Sequence, residues 1–200
     1  MPERGELGYP PGPHESPSAS SKPGALRPNA YRRKPARQKE PVLPMCRFML
    51  ITAPVPCDLR PLAGQFAEMC AHSHGLDGSG WQGDGWGLAW KDAVGQWQVH
   101  RSVAPIWTEP AALRHLPPIR HLLVHARSAS FAHHVGALRY CQPYLHGPYA
   151  FVFNGFLQGV RLPRRVPGSI GAEKIWALVQ AQLAQGTRPP QALATVYNLL

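Results

Sequence analysis

Long apolar runs are missing from this chain. None of its 200 residues belongs to a stretch approaching the ~18 consecutive apolar positions of a membrane span. The first 44 residues also hold no apolar segment of signal-peptide type, so a cytoplasmic protein with no membrane partner is expected. Those 44 residues contain no Trp, no Phe and no Cys, but carry 10 of the 23 prolines. A segment so poor in large apolar side chains cannot bury a core. Acidic residues are scarce as well: 11 Asp and Glu stand against 21 Lys and Arg, a net charge of +10. Such a surplus raises nucleic acid as a partner. No RNA- or DNA-binding motif accompanies it, and a salt-insensitive lack of binding would remove that reading.

What is present begins at Met45. All six Trp, all six Phe and all four Cys lie after residue 44. Residues 1–44 are read as a disordered, basic Pro/Gly/Ser-rich extension, either a mis-assigned start or a propeptide, and residues 45–200 as the folded domain. Eight basic and four acidic residues give the extension +4, and 13 basic and seven acidic give the domain +6. Within the extension, Arg32-Arg33-Lys34 with Arg37 and Lys39 reads as a solvated basic linker before it reads as a nucleic-acid contact. The cysteines Cys46, Cys57, Cys70 and Cys141, without a secretion signal, are expected to be reduced thiols.

Pattern and punctuation predict the elements. Met45–Thr52 reads as a buried strand, and Leu62, Phe66, Met69 and Cys70 recur at helical spacing within 61–73. Gly83-Asp84-Gly85-Trp86-Gly87 marks a turn before a hairpin, Leu88–Lys91 and Gln96–Arg101, broken at Gly95. His121–Ala129 and Pro148–Phe153 are further strands, the second entering Asn154-Gly155. Ile175, Leu178, Val179 and Leu183 mark a helix ended by Gly186, and Pro189 or Pro190 opens another that runs to Leu200.

Three segments could carry chemistry. Cys46 follows a methionine at the start of the folding sequence. If it became the first residue, its α-amine (pKa about 8) would serve as a base for its own thiol (pKa about 8.5). Otherwise it is a small buried cysteine on an edge strand. Arg127, in His125-Ala126-Arg127-Ser128-Ala129-Ser130, stands at a strand end where a guanidinium can grip a carboxylate. Alone it reads as an ion-paired or surface residue. Asn154-Gly155, after Phe151-Val152-Phe153, offers an amide and an unhindered backbone N–H suited to an oxyanion hole. Alone it reads as a turn. A metal site from Cys70, His72 and His74, with His133 or His134, is disfavoured: i, i+2 and i+4 side chains do not share a helix face, and no Cys-x-x-Cys pair completes it.

Taken in order, Met45-Cys46-Arg47, Asp84-Gly85-Trp86-Gly87-Leu88, His125 to Ser130, Gln142-Pro143-Tyr144 and Phe151 to Gly155 resemble the class II glutamine amidotransferases. These are N-terminal-nucleophile hydrolases, and the likeness is to their short single-domain branch, which includes γ-glutamyl amide hydrolases of thiol metabolism. The resemblance runs from Cys46 to about Trp176. It implies an α+β fold, a four-layer αββα sandwich, incomplete here at the C-terminal end. It implies that Cys46 is the nucleophile, that Asn154 and Gly155 form the oxyanion hole, and that Arg127 holds the substrate α-carboxylate with Ser128 and Ser130 lining the pocket. Trp86 and His125 belong to the architecture of the site. No cofactor and no metal are implied. The substrate is glutamine or a γ-glutamyl amide, and a separate subunit would receive any ammonia passed on.

The chain also departs from that family. Where an Asp-Ser-Glu is usual, with the aspartate binding the substrate α-ammonium, the chain reads Gly171-Ala172-Glu173. Cys141-Gln142-Pro143 and Phe153 replace the family's usual Asn-Cys-His-Pro or Asn-Thr-His-Pro and its histidine before Asn-Gly. With the extension ahead of Cys46, these departures motivate a second reading, a catalytically silent amidotransferase-like binding module.

Overall fold

The computed structural model describes residues 45–73, 82–162 and 165–200. The extension expected over 1–44 lies outside them, as does His74. The described chain is an α+β structure with antiparallel sheets. Four strands, β1 (Arg47–Cys57), β2 (Trp86–Lys91), β3 (Trp97–Ser102) and β4 (Ile119–Ala126), form one sheet in the order β1-β4-β2-β3. Two short strands, β5 (Tyr144–His146) and β6 (Tyr149–Phe151), form a separate hairpin. The helices are α1 (Arg60–His72), α2 (Pro110–Arg114), α3 (Gly171–Ala184) and α4 (Pro189–Tyr197). No helix among the described residues is long and apolar enough to cross a membrane.

Register decides which side chains share a face. Trp86, Leu88 and Trp90 of β2 lie opposite Ala126, Val124 and Leu122 of β4, and Met49 and Ile51 of β1 pair with Val124 and Leu122. That face packs on Ala63, Phe66, Ala67 and Cys70 of α1 and on Leu113 of α2, forming one core. Each large apolar side chain buried there contributes about 1.5–3 kcal/mol. A second core joins Tyr144 to Ile175, Trp176, Leu178 and Val179 of α3 and to Ala192 and Val196 of α4. Phe151 stacks on Trp176 with ring planes 8° apart.

Two expectations change in depth. The run Met45–Thr52 is not a buried strand: β1 is an edge strand with alternating exposure, and Phe48 and Leu50 are 50 % and 63 % exposed. Its edge position also accommodates Pro54 and Pro56, since proline has no N–H to donate to a ladder. In α1 the buried face runs through Ala63, Phe66, Ala67 and Cys70, while Leu62 and Met69 lie exposed. Alanines let that helix approach the sheet closely. The last helix ends at Tyr197, short of Leu200. Gly186, at φ +80°, does end α3, its N–H donating to the Leu183 carbonyl.

Two glycines matter to the site's frame. Gly95 takes φ +80° in the β2–β3 turn, where Asp92 Oδ1 accepts from the Val94 and Gln96 N–H groups. Gly87 lies on the sheet face away from α1, where a Cβ would stand 2.4 Å from the Gln142 carbonyl oxygen. That close approach lets the segment through Cys141, Gln142 and Pro143 lie directly on the sheet.

Candidate active site

Cys46 enters β1 beside the end of β4, and β4 delivers Arg127 and Ser128 to it. The Ser128 N–H donates to Cys46 Sγ at 3.3 Å, and the thiol points back to the Ser128 carbonyl at 3.5 Å. Burial pushes the Cys46 thiol above its ordinary value, and the Asp84 charge adds to this; the Ser128 backbone bond and the Arg127 charge pull the other way. A thiol so placed is mostly protonated at neutral pH and needs a base to become a nucleophile. The carbonyl just ahead of it, on Met45, accepts from Gln82 Nε2 at 3.0 Å and from Ser128 Oγ at 3.3 Å.

Arg127 is buried although it is a cation. Its two terminal nitrogens donate to the Asp84 and His134 carbonyls, each at 3.0 Å, and its guanidinium stands 5.5 Å from the Tyr140 ring centre. The backbone locks the same corner, with Arg127 N–H donating to the Gly85 carbonyl at 2.8 Å and Asp84 N–H to the Arg127 carbonyl at 3.0 Å. Among the described residues no carboxylate forms an ion pair with Arg127. A buried guanidinium without a counter-charge is a ready receptor for an anion.

Both groups open onto one pocket of about 590 Å³. Of the residues singled out from sequence, Cys46, Arg127, Ser128, Ser130 and Gly155 all line it. Asn154 does not: it is half-buried, its Oδ1 closed from solvent without a partner among the described residues, and Phe153 and Gly155 form the wall on either side of it. Trp86 and His125 also stand off the wall, in the sheet. The Trp86 indole N–H donates to Glu109 Oε2 at 2.7 Å. Glu109 is held below its ordinary value chiefly by a hydrogen bond from the Ser102 side chain.

Comparison adds nothing to these residues. The chain matches no protein-family model and no curated protein.

Two glutamines hold backbone in roles not expected from the sequence, Gln142 although it lies in the Gln142-Pro143-Tyr144 motif and Gln82 outside every matched motif. Gln142 spans the backbone of Phe153, donating from Nε2 to its carbonyl at 3.1 Å and accepting its N–H on Oε1 at 2.6 Å. It thereby fixes the strand end that carries Asn154 and Gly155. Gln82 is buried behind the Met45 carbonyl. Neither residue belongs to a periodic pattern, because each acts through backbone groups brought to it by tertiary folding. The departures noted in sequence are also placed: Gly171 and Ala172 lie on the pocket wall, and Glu173 turns its carboxylate to the Ser169 and Ile170 N–H groups at the start of α3, at 2.6 and 3.3 Å. The carboxylate is occupied in capping that helix.

Of the cysteine and histidine cluster, Cys70 and His72 lie among the described residues and His74 does not. Cys70 is fully buried in the first core and His72 is exposed, and no group of three or more metal-ligating side chains forms among the described residues. All four cysteines are free thiols.

His125 offers a test of the frame. Burial, reinforced by the Arg127 charge, lowers it to about 3, and neither ring nitrogen has a partner among the described residues. The folded chain therefore keeps this ring neutral at pH values where the unfolded chain, titrating near 6.5, takes up a proton. The contribution is intact above about 6.5 and is lost as pH falls toward 3, by at most about 1.4 kcal/mol per pH unit. His125→Phe, which removes two buried polar atoms without partners among the described residues, is expected to leave stability at pH 7.5 within about 1 kcal/mol and to flatten the loss between pH 6.5 and 4.5. Urea unfolding across that range checks it; an unchanged pH slope would contradict it.

Proposed function

We propose that the chain is an amide hydrolase of the class II glutamine amidotransferase type, acting on a glutamine-like side-chain amide. The observation that carries this reading is the convergence of Cys46, the buried Arg127, which has no ion pair among the described residues, and Gly155 on one pocket. Arg127 would hold the substrate carboxylate and thereby direct the amide toward Cys46. The Sγ attacks the amide carbonyl carbon, a C–S bond forms, the C–N bond breaks, and the nitrogen leaves as ammonia with the thiol proton. Water then attacks the thioester, restores the thiol and releases a carboxylate. The proton moves through the α-amine of Cys46, which requires Cys46 to be the first residue. Gly155 N–H and the Asn154 amide would stabilise the oxyanion, with the Asn154 side chain turning toward the pocket.

The remaining parts of this reading are a four-layer αββα sandwich, a cytoplasmic location, a small-molecule substrate and a separate ammonia-accepting subunit. The second reading, a silent binding module, is favoured by one observation: the wall carries Gly171 and Ala172 where the resemblance implies an ammonium-binding aspartate. Intact mass of the chain made from its own gene, paired with an ammonia-release assay, separates the two. A chain starting at Cys46 that releases ammonia supports the hydrolase; a chain that retains Met1 and releases none supports the silent module.

A further inference from the structure

The pocket's charge is one-sided. Arg127, Arg165 and Lys174 line it, and no Asp or Glu does among the described residues. Two carboxylates come near and are committed elsewhere. Glu173 caps α3, and Asp84 Oδ2 accepts the Ala129 N–H at 2.7 Å. A free α-ammonium entering this space would meet three cations on the wall, while the nearby carboxylates of Glu173 and Asp84 are turned to backbone N–H groups and do not line it, which is an unfavourable arrangement in a partly desolvated site.

The remainder of the wall is apolar. Phe131 and Phe156, both substantially exposed, touch with ring centres 5.9 Å apart, and Leu157, Val160 and Val166 continue the surface. Exposed aromatic rings on a pocket wall provide contact area for an apolar group. The volume of about 590 Å³ is in the range of pockets that hold ligands of drug size, well above the needs of one free amino acid.

We propose that the pocket takes an N-acylated glutamine-type amide, an anion whose α-amine is masked and whose acyl group lies against Phe131 and Phe156. This rests on the hydrolase reading above and narrows its substrate. The carboxylate goes to Arg127, with Lys174 and Arg165 adding to the attraction, and the masked nitrogen no longer needs a carboxylate partner. The reaction is then N-acylglutamine plus water giving N-acylglutamate plus ammonia.

Binding to the full-length chain, measured by calorimetry, tests recognition separately from catalysis. N-phenylacetyl-L-glutamine is expected to bind at least about tenfold more tightly than L-glutamine, a difference of about 1.4 kcal/mol. Phe131→Ala is expected to weaken the phenylacetyl compound several-fold more than N-acetyl-L-glutamine. Gly171→Asp places a carboxylate on the wall, where the three atoms nearest a Cβ all belong to the Leu157 side chain, the first at 3.2 Å and needing to give by a few tenths of an ångström, and is expected to raise L-glutamine affinity and narrow the preference. Equal or tighter binding of L-glutamine, or no binding of either acylated compound, would overturn the proposal. The expected preference, with no Cys46-dependent ammonia release from a chain beginning at Cys46, would leave this recognition standing and sink the hydrolase reading. Cys46-dependent release from free L-glutamine without any preference would do the reverse.

Discussion

Cys46→Ala, in a chain beginning at residue 46, is expected to lower ammonia release from a glutamine-type amide by about 10³-fold or more, to the level of the uncatalysed reaction. The size follows from the placement of the thiol. Its sulfur is fixed by the Ser128 N–H at 3.3 Å on the wall of the pocket that Arg127 also lines. No second thiol lines the pocket, Cys57 lying at the other end of β1 against the Ile119 carbonyl. Cys141 is buried with its Sγ directed to the Ser102 carbonyl at 3.2 Å, and burial drives Cys70 up to about 12. Alanine removes only a small side chain at a half-buried position, so the fold should survive and circular dichroism should be unchanged. Full turnover in this variant would remove Cys46 from the chemistry.

Arg127→Lys carries the second large effect, divided between stability and binding. One ammonium cannot span the Asp84 and His134 carbonyls that the guanidinium bridges from two nitrogens, and it does not cover the Tyr140 ring in the same way. Each charged hydrogen bond lost costs about 1.5–3 kcal/mol, so a loss of about 2–4 kcal/mol and a fall in Tm of about 5–15 °C are expected. In kinetics the change should appear as a KM raised about 100-fold or more with a smaller change in kcat, because a carboxylate anchor acts on the bound substrate and the transition state alike. Thermal unfolding and steady-state rates measured on the same preparation check both halves. A stable variant with unchanged KM would show that Arg127 is neither the corner brace nor the anion receptor.

The central strands were legible from turn punctuation and short apolar runs: β2, β3 and β4 lie where Leu88–Lys91, Gln96–Arg101 and His121–Ala129 read as strands, within a few residues, although Trp86 and Gly87, read as part of the turn, already belong to β2. Depth was less legible. Phe48 and Leu50 look like core residues in sequence, and only the strand order shows that β1 is an edge. Large side chains suggested the buried face of α1 through Leu62 and Met69, whereas the alanines Ala63 and Ala67 face the sheet. The three-residue strand β5 is too short to leave a periodic trace.

At the site, Cys46, Arg127 and Gly155 stood out by residue type and setting, Ser128 and Ser130 only through the resemblance, and all five line one pocket. Residues that hold the backbone did not stand out. Gln142 and Gln82 bind main-chain groups 11 and 37 residues away, and no local pattern encodes such a partner. Asn154 is the instructive intermediate. Its residue type and its glycine neighbour point to an oxyanion role, and its backbone is positioned by the Gln142 bonds to Phe153, yet its side chain is off the wall in this arrangement.

The most direct measurement is the mass and position of a covalent adduct formed with a chloroketone analogue of an N-acylated glutamine, on the chain beginning at Cys46. The account predicts one adduct per chain, mapped by peptide mass spectrometry to Cys46, slowed by competing amide substrate and absent in Cys46→Ala. Labelling that falls on the half-buried Cys57 instead, or that proceeds unchanged in Cys46→Ala, would contradict it.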